Sequence, residues 1–362
     1  MKKIFAIICE NGLGHFRRAV GLLFELKKRM PECEIEVVCE RWQIERTSDW
    51  DKTELFSLPG VTVHEGIVAN GVRWAKNEEY YQPNILSAWE ERLIALPGLM
   101  EADLVISDNL ATVLKYRSDA IVMGSFLWSD VMLEQFPENP EVIRFAKEEI
   151  SVMETAHPQM ICVKGMVMPV VEKLAHPIII PWFGQSPKFI KPSWNGGKLK
   201  IGLLTGVSDE GLGLTNWLLD HITDFENFHF VIPHQLYEKK AENPQLSPFY
   251  FQPEDFQSCD LVLARPGIGT LTDCVTASTP LLMFYESGNK EMTHNARQVE
   301  KMGYGIDLGA DPSVEKILNT INEICQTNQI NELINHLNQA TTNGFEVAAD
   351  WIIQKKLKQI YA

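Results

Sequence analysis

Residues 260–295, which read DLVLARPGIGTLTDCVTASTPLLMFYESGNKEMTHN, decide the fold. The apolar run at residues 261–264 predicts a strand that is buried on both faces, as in a parallel sheet. Gly267 and Gly269 then predict a tight turn into a helix, and residues 281–284 predict a second strand. A strand, a helix and a strand in this order predict a βαβ unit.

The turn between the first strand and the helix is suited to bind an anion. The backbone N–H groups of residues 267–270 can point at a phosphate at the start of the helix. Asp273 is predicted on the first turn of that helix, where its carboxylate can accept hydrogen bonds from a ribose diol. Alternatively, the glycines only form a tight turn, and Asp273 complements the helix dipole. The residues alone leave these two interpretations equally open.

This stretch resembles the donor-binding segment of GT-B glycosyltransferases, especially the N-acetylglucosaminyltransferases that make peptidoglycan lipid II. In that family a strand ends in Arg, a glycine-rich turn follows, an acid on the helix holds the ribose, and a later polar cluster faces the donor sugar. The resemblance implies that the donor is bound by Arg265, Gly267, Gly269, Thr270, Asp273, Glu291, His294 and Asn295. Asp273 stands where the family usually has Glu, and Glu291 stands where it often has His or Gln, so the sugar stays open.

Length and composition favour two α/β domains. The chain has 362 residues, of which 45% are hydrophobic, so it can bury two cores of ordinary size. A formal charge of −15 argues against a nucleic-acid groove and against a polybasic membrane attachment. No apolar run approaches the roughly 20 residues of a membrane span, and the seven cysteines lack CxxC spacing. We therefore expect a cytoplasmic protein that contacts membranes at most weakly and peripherally.

The order of apolar and helical patterns predicts two doubly wound domains. Apolar runs at residues 4–9, 35–39 and 104–107 alternate with helical patterns and predict a Rossmann-like domain over residues 1–181. A stretch rich in proline and glycine predicts a linker at residues 182–198. Similar alternation predicts a second Rossmann-like domain over residues 199–345. The resemblance implies the GT-B fold, a ligand cleft between the domains, and a final helix, residues 346–362, that returns to the first domain.

The motif GLGHFRR, residues 12–18, directly follows the first predicted strand. Its glycines place His15 at the carboxyl edge of the sheet, where α/β proteins bind ligands. A histidine with an ordinary pKa of about 6.5 can take a proton from an acceptor hydroxyl or a water molecule. Alternatively, His15 only packs beneath the turn.

The same loop resembles two groups of proteins. One group is the GT-B transferases with Gly-x-Gly-His loops. The other is the nucleotide-sugar hydrolases of pseudaminic acid synthesis, whose GxGHxxR loop carries the catalytic histidine. Gly12, Gly14, His15 and Arg18 match the second pattern, which implies that His15 is catalytic and that the other three line the acceptor side.

Further polar residues follow predicted strands of the first domain. Asp108 and Asn109 follow one strand and Trp128 follows the next, so they can orient an acceptor. Asp108 can also orient His15, although an Asp after a strand more often caps a turn. Trp128 can stack on a sugar face, although an aromatic residue there is more often part of the core.

Three weaker signals concern the donor and a metal ion. Gly206 and Ser208 lie where GT-B enzymes have another phosphate loop, or they simply begin a capped helix. The resemblance implies that the backbone near Gln252 reads the base. The DxD spacing at residues 49–51 is typical of metal-dependent transferases of another fold, but we expect a solvent-exposed loop there. Helix dipoles and basic groups can hold the phosphates, so no metal is required.

The leading hypothesis is a metal-independent GT-B glycosyltransferase with a nucleotide-diphosphate sugar, expected to be UDP-linked, as co-substrate and with no other cofactor. It would transfer the sugar to an unknown acceptor hydroxyl with inversion. One alternative is a nucleotide-sugar hydrolase in which His15 activates water. The other is a non-catalytic protein that only binds nucleotide sugars.

Overall fold

The computed structural model describes residues 2–69, 71–184, 188–204, 216, 227–239 and 242–357. Contacts between residues divide the chain into two compact units. The first unit is Met1–Phe183 with Asn343–Ala362, and the second is Gly184–Thr342. Each unit has its own parallel sheet, with α-helices in most of the described connections between successive strands.

The first unit is built on a sheet with the strand order β3-β2-β1-β4-β5-β6-β7, in which all neighbours are parallel. The strands are β1 Lys3–Ile8, β2 Glu34–Val38, β3 Val61–His64, β4 Leu104–Asp108, β5 Ile121–Met123, β6 Gln159–Val163 and β7 His176–Ile180. The chain builds the sheet outward from β1 in one direction and from β4 in the other. The order therefore reverses between β1 and β4, and such a switch point is where open α/β sheets bind ligands.

The helices of the first unit follow clear sequence signals. The α-helices that precede β7 are α1 Leu13–Arg29, α2 Arg41–Arg46, α3 Glu90–Ile94, α4 Gly98–Glu101, α5 Trp128–Gln135, α6 Pro140–Ala156 and α7 Pro169–Leu174. Helix α6 starts with Pro140, and the side chain of Asn139 caps it by accepting the N–H of Glu141 at 3.0 Å. Helix α1 ends in basic residues 27–29, which complement the helix dipole.

The second unit repeats the plan with the strand order β10-β9-β8-β11-β12-β13. Its strands are β8 Leu199–Leu204, β9 Phe228–Pro233, β10 Leu246–Phe249, β11 Leu261–Ala264, β12 Leu281–Tyr285 and β13 Gly305–Ala310. Its described helices are α8 His234–Tyr237, α9 Pro253–Ser258, α10 Ile268–Ala277, α11 Lys290–Lys301, α12 Val314–Gln326 and α13 Gln329–Asn338. The switch point of this sheet lies between β8 and β11, so the turn after β11 is at the ligand-binding edge.

The segment predicted as a linker at residues 182–198 is assigned by its contacts mainly to the second unit. Lys191 is buried there, and its Nζ donates to the Gln257 carbonyl at 2.6 Å. Its backbone N–H donates to Asn338 Oδ1 at 2.9 Å. Burial lowers the pKa of Lys191. These bonds fasten the segment to the second unit.

The last helix, α14 Gly344–Ile352, belongs to the first unit and starts two residues before the predicted position, 346. It packs against α1, where a Cβ at Gly21 would lie only 2.2 Å from Cε1 of Phe345. Glycine at position 21 thus allows close approach of the two helices. Arg29 of α1 also forms an ion pair with Asp350.

Candidate active site

His15 and Asp108 meet at the switch point of the first sheet. Gly12, with a φ of +92°, is the N-cap of α1, and His15 lies on the first turn of that helix. Asp108 is the last residue of β4 and pairs in register with Ile8 of β1. His15 Nδ1 lies 2.5 Å from Oδ1 of Asp108, whose side chain is completely buried. Sequence reasoning had left this contact open.

Arg18 completes the arrangement around Asp108. Its Nε donates to Oδ2 at 2.8 Å, and its Nη2 donates to Oδ1 at 2.7 Å. Burial alone would raise the pKa of Asp108, but Arg18 and His15 outweigh it and hold that pKa below its ordinary value. Arg18 was predicted on the acceptor side, and in the structure its guanidinium binds Asp108.

The charge on Asp108 decides which nitrogen of His15 carries the proton. An ionised carboxylate only accepts hydrogen bonds, so Nδ1 of His15 must be the donor. In neutral His15, Nε2 then carries the lone pair. Nε2 has no hydrogen-bond partner within the described ranges. The arrangement can therefore accept a proton at Nε2.

Aromatic rings flank His15. The ring of Trp128 stacks on it with a centroid distance of 6.0 Å, and Phe126 meets it edge-on at 6.5 Å. Trp128 is only 1% exposed, so its ring is part of the core beneath the site and contacts His15 there. Asn109 is also buried, next to Asp108, and its Nδ2 finds no partner among the described residues. Gly14 is the second residue of α1.

Gln43 was missed by sequence reasoning. It is fully buried, and its Nε2 donates to the carbonyls of Cys9 at 3.1 Å and Gly12 at 3.2 Å. Its Oε1 accepts the N–H of Glu40 at 3.1 Å. Gln43 therefore fixes the loop that leads to His15. A glutamine in a short helical pattern is typical of a surface position, so the sequence gives no signal for this role.

Glu149 was missed as well. It is buried on α6 and accepts the N–H of Ser129 at 2.7 Å, on the first turn of α5. Burial raises its pKa to about 7. Because α5 begins with Trp128, Glu149 holds the helix whose first side chain stacks on His15.

In the second unit, α10 follows β11 through Gly267, which is its N-cap. No side chain caps α10 and no acidic residue lies in its first turn. Gly267 has an ordinary φ of −71°, and a Cβ there would touch nothing within 4 Å. Neither the backbone conformation nor the packing requires glycine at this position. The close approach of a ligand to the backbone would explain why glycine is found there.

The structure corrects the predicted position of Asp273. Helix α10 begins at Ile268, so Asp273 is its sixth residue and lies on the second turn. The prediction of the first turn was wrong because the helix starts directly after Gly267. Gly269 and Thr270 do lie on the first turn.

Two predicted donor residues are held by hydrogen bonds near this turn. Arg265 donates from Nη2 at 2.7 Å and from Nε at 3.1 Å to Glu286 Oε2. Glu286 directly follows β12 and is 7% exposed. Asn295 is 1% exposed, and its Nδ2 donates to the Pro266 carbonyl at 2.9 Å. Glu286 was missed, although its place after a strand of the predicted βαβ unit was a usable signal.

The remaining donor candidates lie on separate elements. Glu291 and His294 are partly buried on α11, whose first turn is capped by Asn289. Gln252 is the N-cap of α9, and the preceding Phe251 is 50% exposed with a φ of +64°. Gly206 and Ser208 lie outside the described residues.

Residues 219–351 match the glycosyltransferase family 28 C-terminal domain. This match covers most of the second unit, including β11, α10 and the turn between them. An uncharacterized glycosyltransferase of Methanosarcina mazei is 31% identical over 81 residues, which are 22% of this chain and 21% of that protein. The chain thus aligns with about a fifth of the length of this curated relative.

Solved glycosyltransferase structures are similar along almost the whole chain. The glycotransferase of kitacinnamycin has a TM-score of 0.66 at 12% identity and covers 98% of each chain. The calicheamicin glycosyltransferase CalG4 has a TM-score of 0.63 at 13% identity and covers 100% of each. UGT89C1 of Arabidopsis thaliana, complexed with UDP, has a TM-score of 0.64 at 11% identity, with 98% of this chain and 100% of that one covered.

These similarities confirm the predicted fold class, GT-B with two Rossmann-like domains. They do not single out the peptidoglycan enzymes or the nucleotide-sugar hydrolases. Within the described ranges, no helix is long and apolar enough to cross a membrane. Nor do three His, Cys, Asp or Glu side chains come together there as a metal site.

Proposed function

We propose that the protein is a glycosyltransferase that moves a sugar from a nucleotide diphosphate, expected to be UDP, to an acceptor hydroxyl. The observation that carries this proposal is the hydrogen bond between His15 Nδ1 and Asp108, which leaves Nε2 available as a base. The family 28 domain in the second unit supports a nucleotide-sugar donor.

The N-terminus of α10 is the proposed site of the donor diphosphate. Among the described helices of eight residues or more, only α1 and α10 have neither a side-chain cap nor an acid in the first turn. Their positive N-termini are therefore open to an anionic ligand. Arg265 would add a positive charge, with its direction set by Glu286.

Other residues would bind the rest of the donor. Asp273 would accept hydrogen bonds from the ribose, and Glu291 and His294 would contact sugar hydroxyls. The base would lie beside Gln252, where Phe251 is half-exposed in a conformation that is costly for a phenylalanine. An aromatic face held open in this way can stack on a base.

The proposed reaction is a single displacement. The acceptor oxygen forms a bond to the anomeric carbon while the bond from that carbon to the diphosphate oxygen breaks. The acceptor proton passes to His15 Nε2, and UDP departs with the electron pair. Asp108 stabilises the imidazolium that forms, and the N–H groups of α10 with Arg265 stabilise the diphosphate. One displacement inverts the anomeric centre and needs no metal ion.

Hydrolysis is a second candidate, favoured by the GxGHxxR pattern of Gly12, Gly14, His15 and Arg18. The same Nε2 would take a proton from water. The two functions differ in what accepts the sugar, so release of free sugar from a UDP-sugar in the absence of other acceptors distinguishes them.

The test measures nucleotide binding and turnover separately. Calorimetry with UDP, dTDP and GDP identifies the nucleotide, and a panel of UDP-sugars is then assayed with and without alcohols and phenols as acceptors. His15→Ala and Asp108→Asn should each lower kcat by about 10²–10⁴-fold and leave the Kd for UDP unchanged. His176→Ala, which alters a histidine on β7, is the control.

Two results would refute parts of this proposal. If none of the nucleotides binds, the donor site is wrong. If a UDP-sugar binds and His15→Ala turns it over at the normal rate, the proposed base is wrong.

A further inference from the structure

The long connection between β3 and β4 carries an arginine that suits a negatively charged acceptor. It leaves the sheet at the carboxyl end of β3, the same edge on which His15 and Asp108 lie. We propose that Arg73 binds a carboxylate or phosphate group of the acceptor. As a statement about the acceptor, this rests on the proposed transfer reaction.

The loop around Arg73 is fastened to the end of β1. The Gly71 N–H donates to Glu10 Oε1 at 3.0 Å, and Cys9 Sγ contacts the Val72 carbonyl at 3.4 Å. Cys9 and Glu10 begin the loop that leads to Gly12 and His15. The connection therefore lies directly against the start of the proposed catalytic loop.

Two tyrosines fix the backbone on either side of Arg73. The hydroxyl of Tyr81 donates to the Arg73 carbonyl at 3.1 Å and accepts the Ala75 N–H at 2.9 Å. The hydroxyl of Tyr80 donates to the Gly71 carbonyl at 2.8 Å. Tyr81 is only 4% exposed. Arg73 thus projects from a loop that is held by hydrogen bonds on both sides of it.

The beginning of this loop is held in a similar way. Arg92 donates from Nε to the Ile67 carbonyl and from Nη2 to the Ala69 carbonyl, each at 3.0 Å. Arg92 therefore holds the start of the loop through two backbone carbonyl groups. Little reorganisation would be needed when a ligand reaches Arg73.

The guanidinium of Arg73 is exposed, and its central carbon lies 4.1 Å from the centre of the Tyr80 ring. Stacking on the ring restrains the plane of the guanidinium. No carboxylate oxygen lies within 4.0 Å of it in the part of the chain described here. Arg18, Arg144 and Arg265, by contrast, all bind carboxylates.

The chain has a net charge of −15, so acidic residues outnumber basic ones, and what sets Arg73 apart from the exposed Arg46 is its stacking on Tyr80 in a hydrogen-bonded loop. A planar guanidinium with a fixed orientation can bind two oxygens of a carboxylate or phosphate at once. A neutral acceptor would leave this capacity unused. The geometry therefore favours an acceptor that has a hydroxyl for His15 and an anionic group for Arg73.

The first test needs no enzymatic activity. The full chain is labelled with ¹⁵N-arginine, and the Nε–H signal of Arg73 is assigned by its loss in Arg73→Met. Sodium phosphate and sodium benzoate are titrated separately at constant ionic strength, with sodium chloride as the reference. Arg46, on the exposed end of α2, is the internal control.

We expect the Arg73 signal to shift and saturate with phosphate, benzoate or both, while Arg46 follows the chloride reference. The probe that saturates at lower concentration identifies the preferred anionic group. If Arg73 responds to both probes only as it does to chloride, the proposal is overturned, whether or not the protein transfers sugars.

The second test uses transfer once the donor is known. Three phenols that differ only in a neutral, carboxylate or phosphate substituent are compared as acceptors. The wild type should prefer an anionic phenol by at least tenfold in kcat/KM, Arg73→Met should lose this preference, and Arg73→Lys should keep part of it. Equal preference in wild type and Arg73→Met would overturn the proposal, whereas no transfer to any phenol after positive titrations would count against the proposed function.

Discussion

His15 and Asp108 are 93 residues apart in the sequence and 2.5 Å apart in the structure. The sequence places each of them after a strand, but it does not say which strands are neighbours. Because β1 and β4 are adjacent, the hydrogen bond forms at the edge where they end. The ion pair between Arg18 and Asp108 was not predictable, because a motif match does not show which acidic residue an arginine will bind.

Gln43 and Glu149 show the limit of sequence reasoning at this scale. Both are polar residues on helices, and such residues are mostly exposed. Here Gln43 is fully buried and forms three hydrogen bonds, two of them to the loop that leads to His15, and Glu149 is buried against the start of α5. These positions depend on tertiary packing, which leaves no local pattern in the sequence.

Glu149 should make the stability of the first unit depend on pH. Its pKa is raised from 4.5 to about 7 in the folded protein, so folding favours its protonated form. The unfolding free energy should therefore fall as pH rises from about 4.5 to 7, by on the order of 3 kcal/mol from this residue alone. Below pH 4.5 both states are protonated, and this effect vanishes.

Denaturant unfolding at pH 5 and pH 7.5 measures this contribution. Glu149→Gln should flatten the pH dependence relative to wild type. Glu134→Gln, which changes an exposed acid on α5, should leave it unchanged. Parallel pH profiles for wild type and Glu149→Gln would contradict the prediction.

At the scale of elements, strands and turns were easier to predict than helix starts. The apolar run at residues 261–264 is a fully buried strand, as its composition predicts. The position of Asp273 was misjudged by a turn because α10 begins at once after Gly267. An N-cap without a capping side chain gives no signal for the exact first residue.

Gly267→Ala should separate folding from ligand binding. The φ of Gly267 suits any residue, and its Cβ would meet no atom within 4 Å, so the gain of about 0.4–1 kcal/mol from a stiffer unfolded chain roughly offsets the poorer N-cap, and stability should change by less than about 1 kcal/mol. The added methyl group would, however, occupy space that the proposed diphosphate needs. UDP should bind at least tenfold more weakly in calorimetry, with a Tm that changes by only a few degrees.

A large loss of Tm in Gly267→Ala, beyond what a poorer N-cap costs, would show that the glycine is required by the fold itself. Unchanged UDP affinity would show that the diphosphate does not approach this turn. Gly197→Ala, in the exposed segment before β8, is the matched control.

Gly21→Ala should destabilise the contact between α1 and α14. In an exposed helix this change usually stabilises by about 1 kcal/mol. Here the new Cβ would lie 2.2 Å from the Phe345 ring, so the net effect should be a loss of about 1–3 kcal/mol. Chemical denaturation measures it, and Gly21→Ala combined with Phe345→Leu should recover part of the loss. No recovery would mean that the clash with Phe345 is not the cause.

At the scale of the whole molecule, the fold class was predictable because each half repeats the same alternation of buried strands and helices. The two sheets have matching orders on either side of their switch points. The boundary between the units was less predictable. Prolines and glycines at residues 182–198 are typical of a linker. Lys191 in this stretch is nevertheless buried, and it forms hydrogen bonds with residues of the second unit.

Removal of residues 343–362 should weaken the first unit selectively. Helix α14 buries Phe345 and Ile352, and each such side chain contributes about 1.5–3 kcal/mol. In hydrogen exchange measured by mass spectrometry, peptides from α1 should exchange faster than in the full chain. Peptides from β11 and β12 should be unchanged. If α1 peptides exchanged at the same rate in the truncated chain and in the full chain, α14 would not contribute to the stability of this unit.

The two passages of the chain between the units run side by side. Phe183 and Asn343 form an antiparallel bridge, and the N–H of Gly184 donates to the Thr342 carbonyl at 3.1 Å. The second unit is consequently one uninterrupted insert whose first and last residues are neighbours. The second unit could therefore be exchanged as a single segment at these two positions, with the sequence of the first unit unchanged on either side of it.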